Sequence, residues 1–236
     1  LQRMFSEPYG SFLAGLLLGS RRGIPLELTE DFNATGLSHI VAISGYNITL
    51  VILAVGFIFN FLGRRKKVFM SILFIVVFVV MVGGSAAVAR SAIMGIIGLL
   101  GIWFGRQYAV TVALIASAFF MNLWNPKILV YDIGFQLSFM ATAGIIYFYP
   151  ILEKYFVRWP KFFGIRETLL MTLSAQVLAT PIILLNFERL SLIAPLANIF
   201  VLPFIPFVML TGFAAVLFSY FWDFLREFLD SLRICF

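Results

Sequence analysis

The side chains best suited to chemistry in this chain are a few polar groups that stand inside apolar segments. His39, the only histidine, lies with Ser44 and Asn47 in the segment 36–50, which is otherwise mostly apolar. Burying such groups in hydrocarbon without partners costs several kcal/mol each, so a polar head on an apolar segment predicts a functional site. The alternative is that His39 is a satisfied structural residue.

Nucleophilic and metal-assisted catalysis are both disfavoured. Ser44 lies in Ile43-Ser44-Gly45, which is not the Gly-x-Ser-x-Gly nucleophile elbow, and no general base stands at a defined spacing from it. The single cysteine, Cys235, and the single histidine are too few for a Cys/His metal site. The sequence also lacks a nucleotide-binding phosphate loop. We therefore expect no catalytic residue, no metal, no cofactor and no enzymatic activity.

Arg90 is a charged residue in the middle of the apolar segment 85–104. An arginine near the bilayer centre costs about 2.5 kcal/mol or more unless it is paired or hydrated. Two roles remain open: contact with a phosphate or other anion in a pore, or a structural ion pair with Asp132. Small residues recur every four positions beside it, which predicts close helix packing and an Arg90 that points into a bundle: Gly83, Ala87, Ser91 and Gly95.

Asp132 and Gln136 are four residues apart, so they share one face at the outer end of a predicted span. Asp132 is also a favourable helix N-cap, and this purely structural role stays open.

Thr172, Gln176 and Thr180 repeat at a spacing of four, directly before Pro181. Such a polar stripe on a spanning helix either lines a water-filled path or forms hydrogen bonds to neighbouring helices.

The composition predicts a membrane protein. The chain is 62% hydrophobic and only 12% charged, with a mean hydropathy of +1.03. We therefore predict an all-α, polytopic transmembrane helical bundle with short interfacial or re-entrant helices and proline-broken helices. In a membrane protein, an excess of positive charge such as the formal +6 indicates first of all which loops are cytoplasmic. We expect the many phenylalanines to face lipid or to fill contacts between helices.

The hydropathy pattern predicts one transmembrane domain over 1–236. Residues 1–38 form an interfacial or amphipathic part, 39–222 hold the membrane spans, and 223–236 form a surface helix. The region 190–222 is too long for one span and is interrupted by prolines, which predicts a half-helix pair or a kinked span. The clear spans run roughly over 39–62, 68–84, 85–104, 109–124, 132–152 and 168–187.

Basic residues alternate along the loops. The clusters at 64–67, 105–108 and 153–167 fall on one side when the crossings are counted, whereas the opposite loops carry only Lys127. The positive-inside rule therefore predicts that these three basic loops are cytoplasmic and that the N-terminal segment starts outside.

Four stretches together resemble the ComEC family, the inner-membrane DNA channel of natural transformation. The first is 36–45, and it is followed in order by 89–94, 134–139 and 176–181, with Leu190-Ser191-Leu192 and Ala197-Asn198 behind the last. The resemblance covers nearly the whole chain and points to the membrane-embedded competence domain.

The resemblance implies that one DNA strand passes into the cytoplasm across the bacterial inner membrane. It further implies a cytoplasmic helicase-type ATPase as motor and a surface DNA receptor as donor. Under this interpretation the DNA path is lined by the polar residues named above together with one from the broken region: His39, Ser44, Asn47, Arg90, Asp132, Gln136, Gln176, Thr180 and Asn198.

The sequence also departs from the family. Many members carry histidine where this chain has Asn47, so a role for that histidine cannot be transferred. Full-length members often carry an OB-like domain and a metallo-β-lactamase-like nuclease domain, and neither pattern is present in this sequence. Any strand degradation would then come from another domain or protein.

Two other classes of function stay open. A small-solute permease or secondary transporter also has broken helices and polar residues at mid-membrane. A non-conducting membrane scaffold would use the same polar residues to hold its helices together.

Overall fold

Helices are the building units of the described part of the fold. The computed structural model describes residues 6–20, 23–41, 45–157, 164–187, 191 and 193–234, and every regular element within these ranges is helical. In chain order they are α1 Tyr9–Leu18, α2 Leu26–Thr35, α3 Ser38–Val41, α4 Gly45–Ile58, α5 Arg64–Val82, α6 Ala86–Phe104, α7 Val110–Trp124, α8 Ile128–Tyr131, α9 Ile133–Tyr155, α10 Ile165–Phe187, α11 Ala194–Val201 and α12 Ile205–Ile234.

Four of the described helices are long and apolar enough to cross a membrane. They are α6, α9, α10 and the part of α12 that covers 205–222. Large apolar side chains such as Phe57, Phe119 and Phe207 are exposed on the outside of the helices, as expected of surfaces that face lipid. The all-α membrane fold is therefore confirmed.

The predicted spans differ from the helices in three places. Within the predicted span 39–62 the structure describes α3 and α4, with residues 42–44 outside the described ranges, and α4 ends at Ile58, before the predicted end of the span. The cations at 64–67 form the first turn of α5 and not a loop, because long basic side chains can extend to the polar interface while their stems follow the helix. The predicted surface helix continues α12 through Ile234 without a break.

The prolines act less uniformly than predicted. Pro150 lies inside α9 and Pro181 inside α10, and both helices continue through them. Pro195 lies in the first turn of α11, where the missing N–H has no helical acceptor anyway. The region 190–222 is nevertheless divided, since α11 ends at Val201 and α12 starts at Ile205.

The first core joins α4, α5 and α6 through fully buried side chains that include Ile48, Ile75 and Val88. Trp103, near the end of α6, lines the same cleft as Phe69 and Met70, near the start of α5. The two helices are therefore antiparallel, and the chain turns between them at the other end, at 83–85.

Helices α6, α7 and α9 meet in the second core. Ala86 at the start of α6, Met121 near the end of α7 and Phe135 at the start of α9 form one buried cluster. The N-terminal ends of α6 and α9 therefore lie at the same end of the bundle.

Glycine allows the closest approach between α9 and α10. A Cβ placed on Gly144 of α9 would overlap the backbone carbonyl oxygen of Ser174 in α10. Small residues at such positions let helix backbones come together where lipid offers no hydrophobic driving force.

Gly36 allows a second close approach, between the α2–α3 turn and α11. Its φ is +72°, and a Cβ there would lie 2.6 Å from the Cβ of Ala194. Ser191 donates a hydrogen bond of 2.7 Å to the carbonyl of Ala34 in the same region. Gly36, which belongs to the motif 36–45, therefore lies where the N-terminal helices contact the broken C-terminal region.

Candidate functional site at the shared end of α4, α6 and α9

The starts of three helices converge on Arg90. A Cβ on Gly45, the first residue of α4, would lie 3.2 Å from the Cβ of Ser91 and 4.0 Å from Nη2 of Arg90. Arg90 Nε donates a 2.8 Å hydrogen bond to Oγ of Ser138 in α9. The guanidinium therefore sits between α4, α6 and α9.

The recorded partners of Arg90 are all neutral. Besides Ser138, Nη1 lies 3.6 Å from the sulfur of Met94, and the guanidinium carbon lies 5.9 Å from the ring centroid of Phe139, at the limit of a cation–π contact. A guanidinium has five N–H donors and no acceptor. Among the described residues no acidic side chain pairs with Arg90, so donors remain for an anion.

The sequence alternative in which Asp132 neutralises Arg90 is wrong. Asp132 precedes α9, and its Oδ1 accepts a 2.8 Å hydrogen bond from the backbone N–H of Phe135. This is the N-cap geometry that satisfies a free amide at the helix start.

Arg90 is also closer to the helix end than its place in the segment suggests. It is the fifth residue of α6, which begins at Ala86, so it lies about 6 Å along the axis from the helix start at a rise of about 1.5 Å per residue. Arg90 therefore lies in the second turn of α6, nearer to the start of the helix than to its middle, and its depth in the bilayer stays a prediction.

The small-residue stripe on α6 faces α4. A Cβ on Gly95 would lie 3.3 Å from Cδ1 of Ile52, and Ser91 is buried and donates to the carbonyl of Ala87 at 2.8 Å. Gly83 lies outside the helix, with a φ of +81° and open space around it. The stripe therefore starts at Ala87, and Gly83 instead supplies a residue with positive φ in the turn between α5 and α6.

The three polar residues of the first motif do not share one environment. His39 is exposed, and its Nδ1 lies 3.0 Å from the carbonyl oxygen of Gly36. Asn47 is buried and donates a 3.1 Å hydrogen bond to the carbonyl of Leu16, which ties α1 to α4. Ser44 lies outside the described residues. A role for these residues in the DNA path stays a prediction.

Gln136 secures the start of α9. Its Nε2 donates hydrogen bonds of 3.0 Å to the carbonyls of both Leu129 and Val130 in α8. Its side chain is half-buried, and it lies two residues before Ser138 on α9. Gln136 therefore holds α8 against the helix that positions Ser138.

The polar stripe of α10 has two kinds of member. Thr172 and Asn198 are both buried, and Asn198 Nδ2 donates to Thr172 Oγ1 at 3.3 Å, which joins α10 to α11. Gln176 and Thr180 are half-buried, and neither side chain has a recorded hydrogen bond to another described residue. One member of the stripe thus connects helices, and the other two remain available to a ligand or to water.

Two important residues escaped the sequence reasoning. Ser138 lies in the motif 134–139, but nothing marks one serine among many as the partner of an arginine 48 residues away. Arg166 is 5% exposed and donates to the carbonyl of Glu153 at 3.4 Å. Its position at the start of the apolar helix α10 was the available signal, although it was interpreted as one of the loop cations.

The comparisons with known proteins agree with this architecture. The family described as Competence protein matches residues 16–235. ComE operon protein 3 of Bacillus subtilis (strain 168) is 27% identical over 202 residues, which is 85% of this chain and 25% of that protein. The chain thus spans about a quarter of the length of this relative. No solved structure matches the chain. Because the family match extends from α1 to the end of α12, this multi-pass membrane protein belongs to the Competence protein family, the ComEC family.

Proposed function

We propose that this chain forms part of an inner-membrane conduit through which a single DNA strand enters the cytoplasm during natural transformation. Membership of the competence family supports a role in DNA uptake. The observation that carries the finer proposal is the guanidinium of Arg90, held within the bundle by the neutral groups of Ser138 and Met94. A cation without a recorded acidic partner is suited to meet a passing phosphate.

The chemistry of the partner fits this arrangement. A DNA strand is a polyanion, and its backbone phosphates are the groups that basic side chains bind regardless of sequence. Conduction requires contacts strong enough for entry and weak enough for exit. One arginine with unused N–H donors, together with neutral polar groups such as Gln176 and Thr180, meets both requirements.

We further propose that the basic regions 64–67, 105–108 and 153–167 lie on the cytoplasmic side. The adjacent hairpins place the start of α5 and the end of α6 at one end of the bundle, and the alternation of the helices brings the end of α9 to that same end. A concentration of positive charge at one end of a helical bundle is typical of the end whose loops are cytoplasmic.

Energy and strand processing must come from partners in this proposal. The sequence has no phosphate loop and one histidine, so we propose that a cytoplasmic helicase-type ATPase pulls the strand and that a surface receptor delivers it. Nuclease activity, where it occurs, belongs to another domain or protein.

The test is uptake of labelled DNA by a host whose own ComEC-type gene is deleted. The host receives the full-length gene that contains this chain, either unchanged or with Arg90→Gln. We expect Arg90→Gln to reduce uptake about tenfold, which corresponds to about 1.4 kcal/mol, and Arg90→Lys to restore part of it because the charge returns.

Arg106→Gln is the matched control, since Arg106 is exposed in the turn after α6 and loses the same charge. Its uptake should stay within about twofold of the unchanged protein. Normal uptake by an Arg90→Gln protein present at normal levels in the membrane would contradict a phosphate contact at Arg90. If the unchanged, well-expressed gene restores no uptake with its partners present, the conduit itself is wrong.

A further inference from the structure

A cleft of about 400 Å³ opens at the end of the bundle opposite Arg90. It lies between the start of α5 and the end of α6, close to the turn that follows α4. The surface of the cleft is almost entirely apolar, and Arg65 and Lys66 contribute to it with their aliphatic stems beside four apolar side chains: Leu62, Phe69, Met70 and Trp103.

The cations of this cleft lack acidic neighbours along the chain. The sequence 64–67 places four cations in the first turn of α5, which contains no acidic residue. The N-terminal end of a helix is already the positive end of its dipole, so four cations there repel one another and the helix end. Lys67 donates to Oδ1 of Asn60 at 2.8 Å, whereas no acidic side chain among the described residues pairs with Arg65 or Lys66.

The order of the side chains matches the order of groups in a phospholipid. Arg65 and Lys66 are exposed in the first turn of α5, and Phe69 and Met70 follow one turn deeper on the same helix. Trp103 is half-buried near the end of α6, and tryptophan favours the boundary between headgroups and acyl chains. Charge at the rim with an apolar wall beneath it is complementary to an anionic headgroup with its attached chain.

We propose that this cleft binds one anionic phospholipid. The phosphate lies between Arg65 and Lys66, and an acyl chain packs against Phe69, Met70 and Trp103. Basic pockets between helices on the cytoplasmic side are suited to anionic headgroups. A water-soluble anion or a DNA strand would meet the two cations and leave the apolar wall unused. The proposal rests on the cytoplasmic position proposed for the basic regions, and it does not depend on the DNA conduit.

The first test measures lipid retention by the purified full-length protein with native mass spectrometry. Phosphatidylglycerol and phosphatidylcholine with identical acyl chains are titrated separately. Arg65→Gln/Lys66→Gln is compared with Arg64→Gln/Lys67→Gln, which removes the same charge from residues that do not line the cleft. Both variants keep two of the four cations in the first turn of α5, so both keep positive charge that favours a cytoplasmic position for this turn.

We expect the unchanged protein to prefer phosphatidylglycerol. The Arg65/Lys66 variant should lose about tenfold in its apparent affinity, and the Arg64/Lys67 variant less than about threefold. Equal weakening in both variants would overturn the proposal, because the turn would then act only through its total charge. Equal binding of phosphatidylcholine would overturn it as well.

The second test uses the apolar wall and needs only the folded parent protein and one conservative variant. Phosphatidylglycerol with brominated acyl chains should quench tryptophan fluorescence in the unchanged protein, and Trp103→Phe should remove a saturable part of that quenching. Absence of a saturable Trp103 component would overturn the acyl-chain placement. Displacement by millimolar inorganic phosphate would instead assign the site to a free anion, and displacement by a single-stranded oligonucleotide would assign it to nucleic acid.

Discussion

The positive charges near the two ends of α6 lie in different environments. Near its start, the half-buried Arg90 is fixed by a hydrogen bond of 2.8 Å to Ser138 on α9. Near its end, Trp103 faces a turn in which Arg65 and Lys66 are exposed beside an apolar cleft. A single charge inside a bundle acts through its exact position, whereas charges at an interface act through their number and their access to the headgroups.

The two regions also depend on different parts of the chain. The Arg90 site combines α4, α6 and α9, which are separated along the sequence, as the 48 residues between Arg90 and Ser138 illustrate. The cleft is formed by a consecutive hairpin, α5 and α6, with Leu62 from the preceding turn. Perturbing α9 should therefore damage the first region and spare the second.

Gly144→Ala is expected to have the largest effect. The added methyl group would overlap the backbone carbonyl of Ser174, and a backbone contact cannot be relieved by a change of rotamer. Separating α9 from α10 should cost about 3 kcal/mol, the upper part of the range for overpacking. Thermal unfolding in detergent should show a clear loss of stability, and DNA uptake should fall with it, while phosphatidylglycerol binding by the remaining folded protein should stay within about twofold.

Gly56→Ala is the control for this prediction. Gly56 lies inside α4, and a Cβ there would meet no atom within 4 Å. Alanine is favoured over glycine in a helix by about 0.5–1 kcal/mol, so this variant should be unchanged or slightly more stable. Equal behaviour of the two variants would contradict the close contact between α9 and α10.

Ser138→Ala should have an intermediate effect that is confined to the Arg90 region. It removes the hydroxyl that holds Nε of Arg90 but keeps the charge, and a hydrogen bond to a charged group contributes about 1.5–3 kcal/mol when its partner has no substitute. Because the guanidinium can reorient, we expect DNA uptake to fall only about threefold. Uptake is compared at equal membrane levels of the two proteins.

Thr142→Ala, one turn further along α9, controls for the loss of a hydroxyl on the same helix. Thr142 donates to the carbonyl of Ser138 at 2.8 Å and does not contact Arg90 through a recorded bond. A similar loss in both variants would assign the effect to α9 itself and not to the Arg90 hydrogen bond.

Asn60→Ala should have the smallest effect, and it tests the end of the bundle that carries the basic first turn of α5. It removes the acceptor of the Lys67 hydrogen bond, which is exposed, and exposed interactions of this kind contribute at most about 1 kcal/mol. Stability should change by less than about 0.5 kcal/mol, and lipid retention should remain at its original level. A large loss of stability would show that the basic turn is held by specific contacts, as the Arg90 site is.

The helical boundaries show where sequence reasoning succeeds. The spans 85–104 and 109–124 match α6 and α7 within about one residue, because glycine, proline and polar residues bound these mostly apolar segments on both sides. The segment 39–62 was less predictable, since apolar residues such as Phe59 and Phe61 continue past Ile58, where α4 ends. The basic residues at 64–67 were assigned to a loop because hydropathy alone cannot distinguish a charged first turn from a connection.

The sequence predicted which types of residue form the candidate site, but not which side chains bind one another there. Arg90 was identified because a charge in an apolar run is costly. Of the two roles that the sequence leaves open for Arg90, the ion pair with Asp132 is not formed, because Asp132 caps its own helix. Asn47 and Asn198 look alike in the sequence, but the first binds the carbonyl of Leu16 and the second binds Thr172.

By itself the sequence determined that this chain is a helical membrane protein, where three of its four long apolar helices lie, and where along the chain the basic clusters fall. These properties depend on the transfer of consecutive residues between water and lipid, so they can be summed along the chain. Only the tertiary structure decided that Ser138 holds Arg90, that Gly144 brings two backbones together, and that Trp103 and Lys66 line one cleft. Each of these contacts joins distant residues, and it depends on the rotation and spacing of packed helices, which hydropathy does not encode.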